Sequence, residues 1–193
     1  MIRSFFAIDL PGALTEEIRR LQGRLQKAGA DVKWVRPESV HLTLKFLGNV
    51  AADTVPLLAD RAARAAAEHA GLSLGIDGVG VFPNRSRIRV IWLGLGGALT
   101  ELIALQAGID AVAVQFGFMP EQRSFKPHLT LGRVRSNRGK DRLLAELDRL
   151  NPRPLRFEAR EVVLFKSDLK PSGAIYTALH RLPLTGDQME DSS

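Results

Sequence analysis

Only four histidines occur in this 193-residue chain, and two of them open the same tetrapeptide, His-Leu-Thr-Leu, at 41–44 and again at 128–131. Imidazole titrates near pH 6.5, so both of its protonation states are accessible at neutrality. Two imidazoles facing one substrate supply a general acid and a general base. Side chains alternate along a strand, so His41 shares a face with Thr43, and His128 with Thr130. The leucines of each motif take the opposite face and can be buried. Such a set suits displacement at phosphorus. One histidine takes a proton from water and the other gives one to the departing oxygen. The threonine hydroxyls hydrogen-bond the non-bridging oxygens. This chemistry calls for no metal, no cofactor and no covalent intermediate.

Cations flank both motifs. Lys45 follows Thr43 by two, and Lys126 precedes His128 by two. In regular strands each shares the His/Thr face, where it can attract an anion and stabilise developing charge. Arg133 lies five residues after His128, so strict alternation sends it to the other face. It reaches the cleft only if Gly132 bends or bulges the strand.

Other uses of these residues fit less well. Zinc needs three or four protein ligands, and the chain has no cysteine and no clustered His/Glu motif. His69 reads as a structural residue at a helix end, and His180 as surface. Trp34, Phe46 and Trp92 read as core. A Walker loop, a dinucleotide fingerprint and a serine-nucleophile motif are all absent.

The elements that must hold the motifs follow from periodicity and turn chemistry. Strands are predicted over residues 2–9, 32–35, 40–47, 72–81, 87–95, 126–134, 156–165 and 174–182. Helices are predicted over 15–27, 52–69, 99–114 and 140–150. Strands joined by short turns pair antiparallel, so the class is α+β. The repeated motif predicts two pseudo-symmetric lobes, each a small sheet backed by helices, with a central cleft. Residues 1–184 are read as one two-lobed domain and 185–193 as a polar, frayed tail.

Composition agrees with a globular enzyme. The residues are 45% hydrophobic and 25% charged, and the formal net charge is +6. A basic balance favours anionic partners such as RNA or phosphate esters. The absence of cysteine excludes disulfides and thiolate nucleophiles and makes a cytoplasmic home the simplest expectation. No apolar run is long enough to span a membrane, and the N-terminus reads as a first strand. One chain carries the whole candidate set, so no protein partner is called for and a monomer suffices.

The paired His-x-Thr motifs resemble the signature of the 2H phosphoesterase superfamily. Their flanks narrow the likeness. RSFFAIDLP, KWVRPESVHLTLKFLGNV, GVFPNRSRIRVIWLGL and FKPHLTLGRVR resemble the bacterial and archaeal RNA 2′,3′-cyclic phosphodiesterases, the 2′-5′ RNA ligase-like group. The resemblance spans about residues 2–182. It implies hydrolysis of an RNA terminal 2′,3′-cyclic phosphate to a 2′-phosphate, with 2′-5′ ligation as the reverse reaction. It also implies His41 as proton donor, His128 as proton acceptor, Thr43 and Thr130 as phosphate ligands, and Arg133 as a further phosphate contact. Two alternatives remain: an RNA-end binder without turnover, and a 2H enzyme acting on another cyclic nucleotide or a 2′-5′ oligonucleotide.

Overall fold

The first strand shows why the fold has two faces to fill. In the computed structural model, β1 (Ile2–Ile8) is buried from Ser4 onward on both sides. Phe6 and Ile8 enter the main core, whereas Phe5 and Ala7 join a second, smaller cluster with Val163 and Phe165. A strand covered on both faces reads as a continuous apolar run, and FFAI is one.

The structure describes residues 1–171 and 173–186. The elements after β1 are α1 (Gly12–Gln26), β2 (Val32–Trp34), β3 (Leu42–Val50), α2 (Thr54–Ala67), β4 (Leu72–Pro83), β5 (Ile88–Gly97), α3 (Leu99–Gln115), β6 (His128–Val134), α4 (Lys140–Asp148), β7 (Arg156–Ala159), β8 (Glu161–Lys170) and β9 (Gly173–Pro183). Among the described residues these strands form two antiparallel sheets, ordered β3-β1-β8-β9 and β2-β6-β5-β4-β7. The fold is α+β, as the strand pattern predicts. The stretch 156–165, predicted as one strand, is two. The chain leaves β7 at the edge of the second sheet, turns at Arg160 and enters β8 inside the first.

The sheets mirror one another in neighbour order. β3-β1-β8 corresponds to β6-β5-β4, with the two motif strands at matching places. β4 follows α2 of the first half but sits in the second sheet. β8 follows α4 of the second half but sits in the first. The helices bury apolar stripes at the spacing of an amphipathic helix. In α1 the stripe is Leu14, Ile18, Leu21 and Leu25, and in α3 it is Leu102, Leu105, Ile109 and Val112. These stripes and the inward sides of both sheets make a single core.

The expected loose tail from 185 needs correction for its first residues. The amide of Gly186 donates to the His69 carbonyl at 2.9 Å, and the Leu184 amide donates to Arg160 at 2.8 Å, so this segment is docked at the end of α2. Residues 187–193 lie outside the described residues.

One buried carboxylate ties α1 to the chain ahead of β7. Glu17 is 2% exposed and accepts from Arg20 Nε and Nη2 at 2.8 and 2.6 Å and from the Arg153 amide at 2.9 Å. The Arg20 hydrogen bonds, helped by Arg153 against the cost of burial, hold this carboxyl below the usual range. Removing it strands a half-buried guanidinium and a backbone donor. The Glu17→Ala variant should lose on the order of 3 kcal/mol of stability, read as a lower urea midpoint at unchanged slope.

Candidate active site

Both motif strands carry the same irregularity. Thr43 lies opposite Ala7 and Lys45 opposite Phe6, so Leu44 has no partner on β1. Thr130 lies opposite Trp92 and Gly132 opposite Ile91, so Leu131 has no partner on β5. Each is a β-bulge, with one extra residue placed directly after the motif threonine. An extra residue reverses the alternation beyond it. Leu44 and Lys45 both point to the core side, and so does Leu131. Phe46 and Arg133 are thereby turned back to the faces that carry Thr43 and Thr130.

This overturns the expected place of Lys45. Its side chain is 4% exposed and points away from the His/Thr face. Its Nζ lies 2.5 Å from an Asp110 carboxylate oxygen and donates to the Met119 carbonyl at 2.6 Å. Asp110 also accepts from the Glu121 amide. Lys45 therefore ties the first motif strand to α3 and to the segment that leads into the second motif. Lys126 also departs from the expectation. β6 begins at His128, so strand alternation does not govern Lys126, whose exposed side chain sits in the preceding loop. Arg133 is where a bulge at this point would put it. Gly132 is required beside it, because a Cβ there would lie 2.7 Å from Val32 of β2.

The two imidazoles are held alike. His41 Nδ1 lies 3.0 Å from the Ser39 carbonyl, and His128 Nδ1 lies 2.7 Å from the Lys126 carbonyl. A carbonyl only accepts, so Nδ1 carries the hydrogen and donates in both. Nε2 is left to accept or deliver a proton. His41 stacks on Phe5 at 4.6 Å between centroids and meets the edge of Tyr176 at 5.0 Å. His128 meets Phe82 edge-on at 5.1 Å.

The two halves converge. β3 and β6 approach within 8 Å, Cα to Cα. Tyr176, packed against His41, feels the charge of Arg133 from the other sheet. Burial raises the Tyr176 phenol, and Arg133, Arg3 and Arg36 oppose that shift. Burial among the aromatic rings pushes His41 down to about 4, against the Ser39 hydrogen bond and Asp9. That shift leaves His41 neutral at physiological pH.

The sequence reading missed Phe46. Read as core, it is 62% exposed, with its ring 5.8 Å from that of Phe5. A signal for the bulges is present in the chain. Core-facing apolar positions run Leu42, Leu44, then Leu47, and in the second copy Leu129, Leu131, then the partly buried Val134. Both sequences change parity after the fourth motif residue, as an inserted residue demands. Among the described residues, no group of three or more His, Asp or Glu side chains is placed to hold a metal ion. None of the helices is long and apolar enough to cross a membrane.

Two sheets of matching neighbour order, each carrying a His-x-Thr motif on strands that approach one another, define a duplicated phosphoesterase architecture. The chain belongs to the LigT-like phosphoesterase family, whose model matches residues 8–92 and 96–176. An RNA 2′,3′-cyclic phosphodiesterase of Methanothermobacter thermautotrophicus is 38% identical over 179 residues, covering 91% of this chain and 95% of its own. One of the same name from Thermotoga maritima is 30% identical, over 96% and 97%. Among solved structures, Escherichia coli LigT complexed with 3′-AMP matches with a TM-score of 0.75 at 30% identity, over 95% of this chain and 98% of that one.

Because His41 is neutral in the fold to about pH 4 but titrates near 6.5 when unfolded, the unfolded chain binds more protons between those values. Stability linked to His41 is complete above about pH 6.5 and is lost as pH falls toward 4. Thermal melts at pH 7 and 4.5 should differ more for the wild type than for His41→Asn.

Proposed function

We propose that the protein hydrolyses an RNA terminal 2′,3′-cyclic phosphate to a 2′-phosphate by two-histidine general acid–base catalysis. The observation that carries this reading is the matched pair of imidazoles. Each is fixed through Nδ1 on a backbone carbonyl, His41 directly before β3 and His128 at the start of the neighbouring β6. The names of the relatives support the substrate class.

In this reading His128 Nε2 takes a proton from water as the water attacks phosphorus. His41 Nε2 gives a proton to the departing 3′ oxygen, and the P–O3′ bond breaks. Thr43 and Thr130 donate to the non-bridging oxygens. Arg133 stabilises the charge gathered on them, a role suited to a planar, permanently charged donor. Phe46 offers an exposed ring on which the terminal base can stack. Lys126 and the net positive charge draw RNA toward the cleft. Lys45 takes no direct part. The natural partners are RNA ends or nucleotides bearing the cyclic phosphate, and the natural setting is the cytoplasm.

The state of His41 makes the chemistry depend on binding. Its proton-donating form is scarce in the free enzyme at neutral pH, and a phosphodiester anion beside it raises its pKa. The profile of kcat/KM, which reports the free enzyme, should therefore turn down with rising pH earlier than the profile of kcat does.

The decisive experiment is incubation with an oligonucleotide ending in a 2′,3′-cyclic phosphate, with and without EDTA. The expected product is a 2′-phosphate, formed equally in both. Either His41→Ala or His128→Ala should slow turnover by roughly 10²–10⁴-fold. Binding without turnover by the wild type, or a 3′-phosphate product, would overturn the reading.

A further inference from the structure

Each bulge is held from behind by a buried glutamine. Gln22 on α1 is 3% exposed, and its Nε2 donates to the carbonyl of Leu131 at 2.9 Å and to that of Val35 at 2.7 Å. Gln106 on α3 is 6% exposed, and its Nε2 donates to the carbonyl of Leu44 at 3.3 Å. Leu131 and Leu44 are the residues left unpaired directly after the two motif threonines. The arrangement crosses over: the first half's helix serves the second motif, and the second half's helix serves the first. Both glutamines follow a buried leucine, Leu21 and Leu105, so the duplication extends to the helices.

A primary amide inside an apolar helix face is costly unless it is hydrogen-bonded. A bulged residue, in turn, has a carbonyl outside the regular ladder that a side-chain donor can reach; that of Leu131 accepts from the Val35 amide at 3.0 Å as well as from Gln22. The two conditions meet at these two points. A regular strand would need no such donor, and it would carry Arg133 and Phe46 to the core side.

We propose that Gln22 and Gln106 are positioning residues for the cyclic-phosphate reaction. Gln22 stabilises the Leu131 bulge that aims Arg133 at the phosphate, and Gln106 stabilises the Leu44 bulge that aims Phe46 at the base. The inference rests on the function proposed above, and specifically on those two contacts. Each glutamine acts through one named residue of the opposite half, which makes the couplings selective.

The test is a set of double-mutant cycles on the cyclic-phosphate oligonucleotide, with thermal melts to score folding. Gln22→Met should lower kcat/KM by roughly ten- to a hundredfold. That loss should largely vanish in an Arg133→Ala background and persist in a Phe46→Ala background. Gln106→Met should show the reverse pattern, with its loss mainly in KM. Gln22→Glu keeps the shape but donates only when protonated, so it should recover toward the wild type as pH is lowered, whereas Gln22→Met should not. A merely structural role predicts equal losses in every background, and that result overturns the proposal. So does wild-type kcat/KM in a folded Gln22→Met variant. If Gln22→Met does not fold, the Gln106 cycle and the pH response of Gln22→Glu decide. If the wild type shows no turnover, the functional reading fails instead. Loss of the Gly132 and Arg133 amide NMR positions in Gln22→Met then still reports the bulge itself, and unchanged positions overturn its dependence on Gln22.

Discussion

One extra residue directly after each motif threonine decides what the two His/Thr faces carry. Without the bulges, alternation would give the His/Thr faces Lys45 and Gly132. With them, the faces receive Phe46 and Arg133, and Lys45 goes inward to Asp110. The irregularity sits one residue past the motif threonine, so the histidine and threonine keep their mutual placement and only the next pair is exchanged. On the first face a lysine ammonium on a flexible stem is thereby replaced by an aromatic ring, and on the second a glycine by a guanidinium.

The duplication supplies two equivalent imidazoles, and their surroundings make them unequal. His41 lies between the Phe5 face and the Tyr176 edge, where desolvation favours the neutral ring. His128 has a single aromatic neighbour, Phe82, and sits at the start of its strand beside an exposed loop. Like backbone anchoring with unlike aromatic packing gives the two rings different surroundings.

Much of this was legible in the chain. The period-two placement of His41 with Thr43 and of His128 with Thr130 needs only strand geometry, and the two-sheet α+β class follows from turns and periodicity. What escaped were effects of tertiary context. Lys45 has the sequence neighbourhood of a substrate cation, but the bulge and the carboxylate on α3 claim it. Phe46 has the composition of a core residue, yet it is exposed by the same half-turn of the strand. Arg160 breaks an apparently continuous strand because its two parts are needed in different sheets. The parity change from Leu44 to Leu47 and from Leu131 to Val134 was the readable clue. It requires asking where the apolar phase fails, and a simple count of apolar residues does not raise that question.

The exchange of β4 and β8 between the halves has a consequence for how such a molecule can come apart or come together. A polypeptide spanning only the first half would leave the β3-β1 pair without β8 and its own β4 without β5 or β7. Its stable form would be a pair of copies trading that strand across a true two-fold axis, with identical histidines on both sides. Joining the copies into one chain releases each side to mutate alone. The covalent link is thus what permits one imidazole to be packed between Phe5 and Tyr176 while its counterpart meets the edge of Phe82.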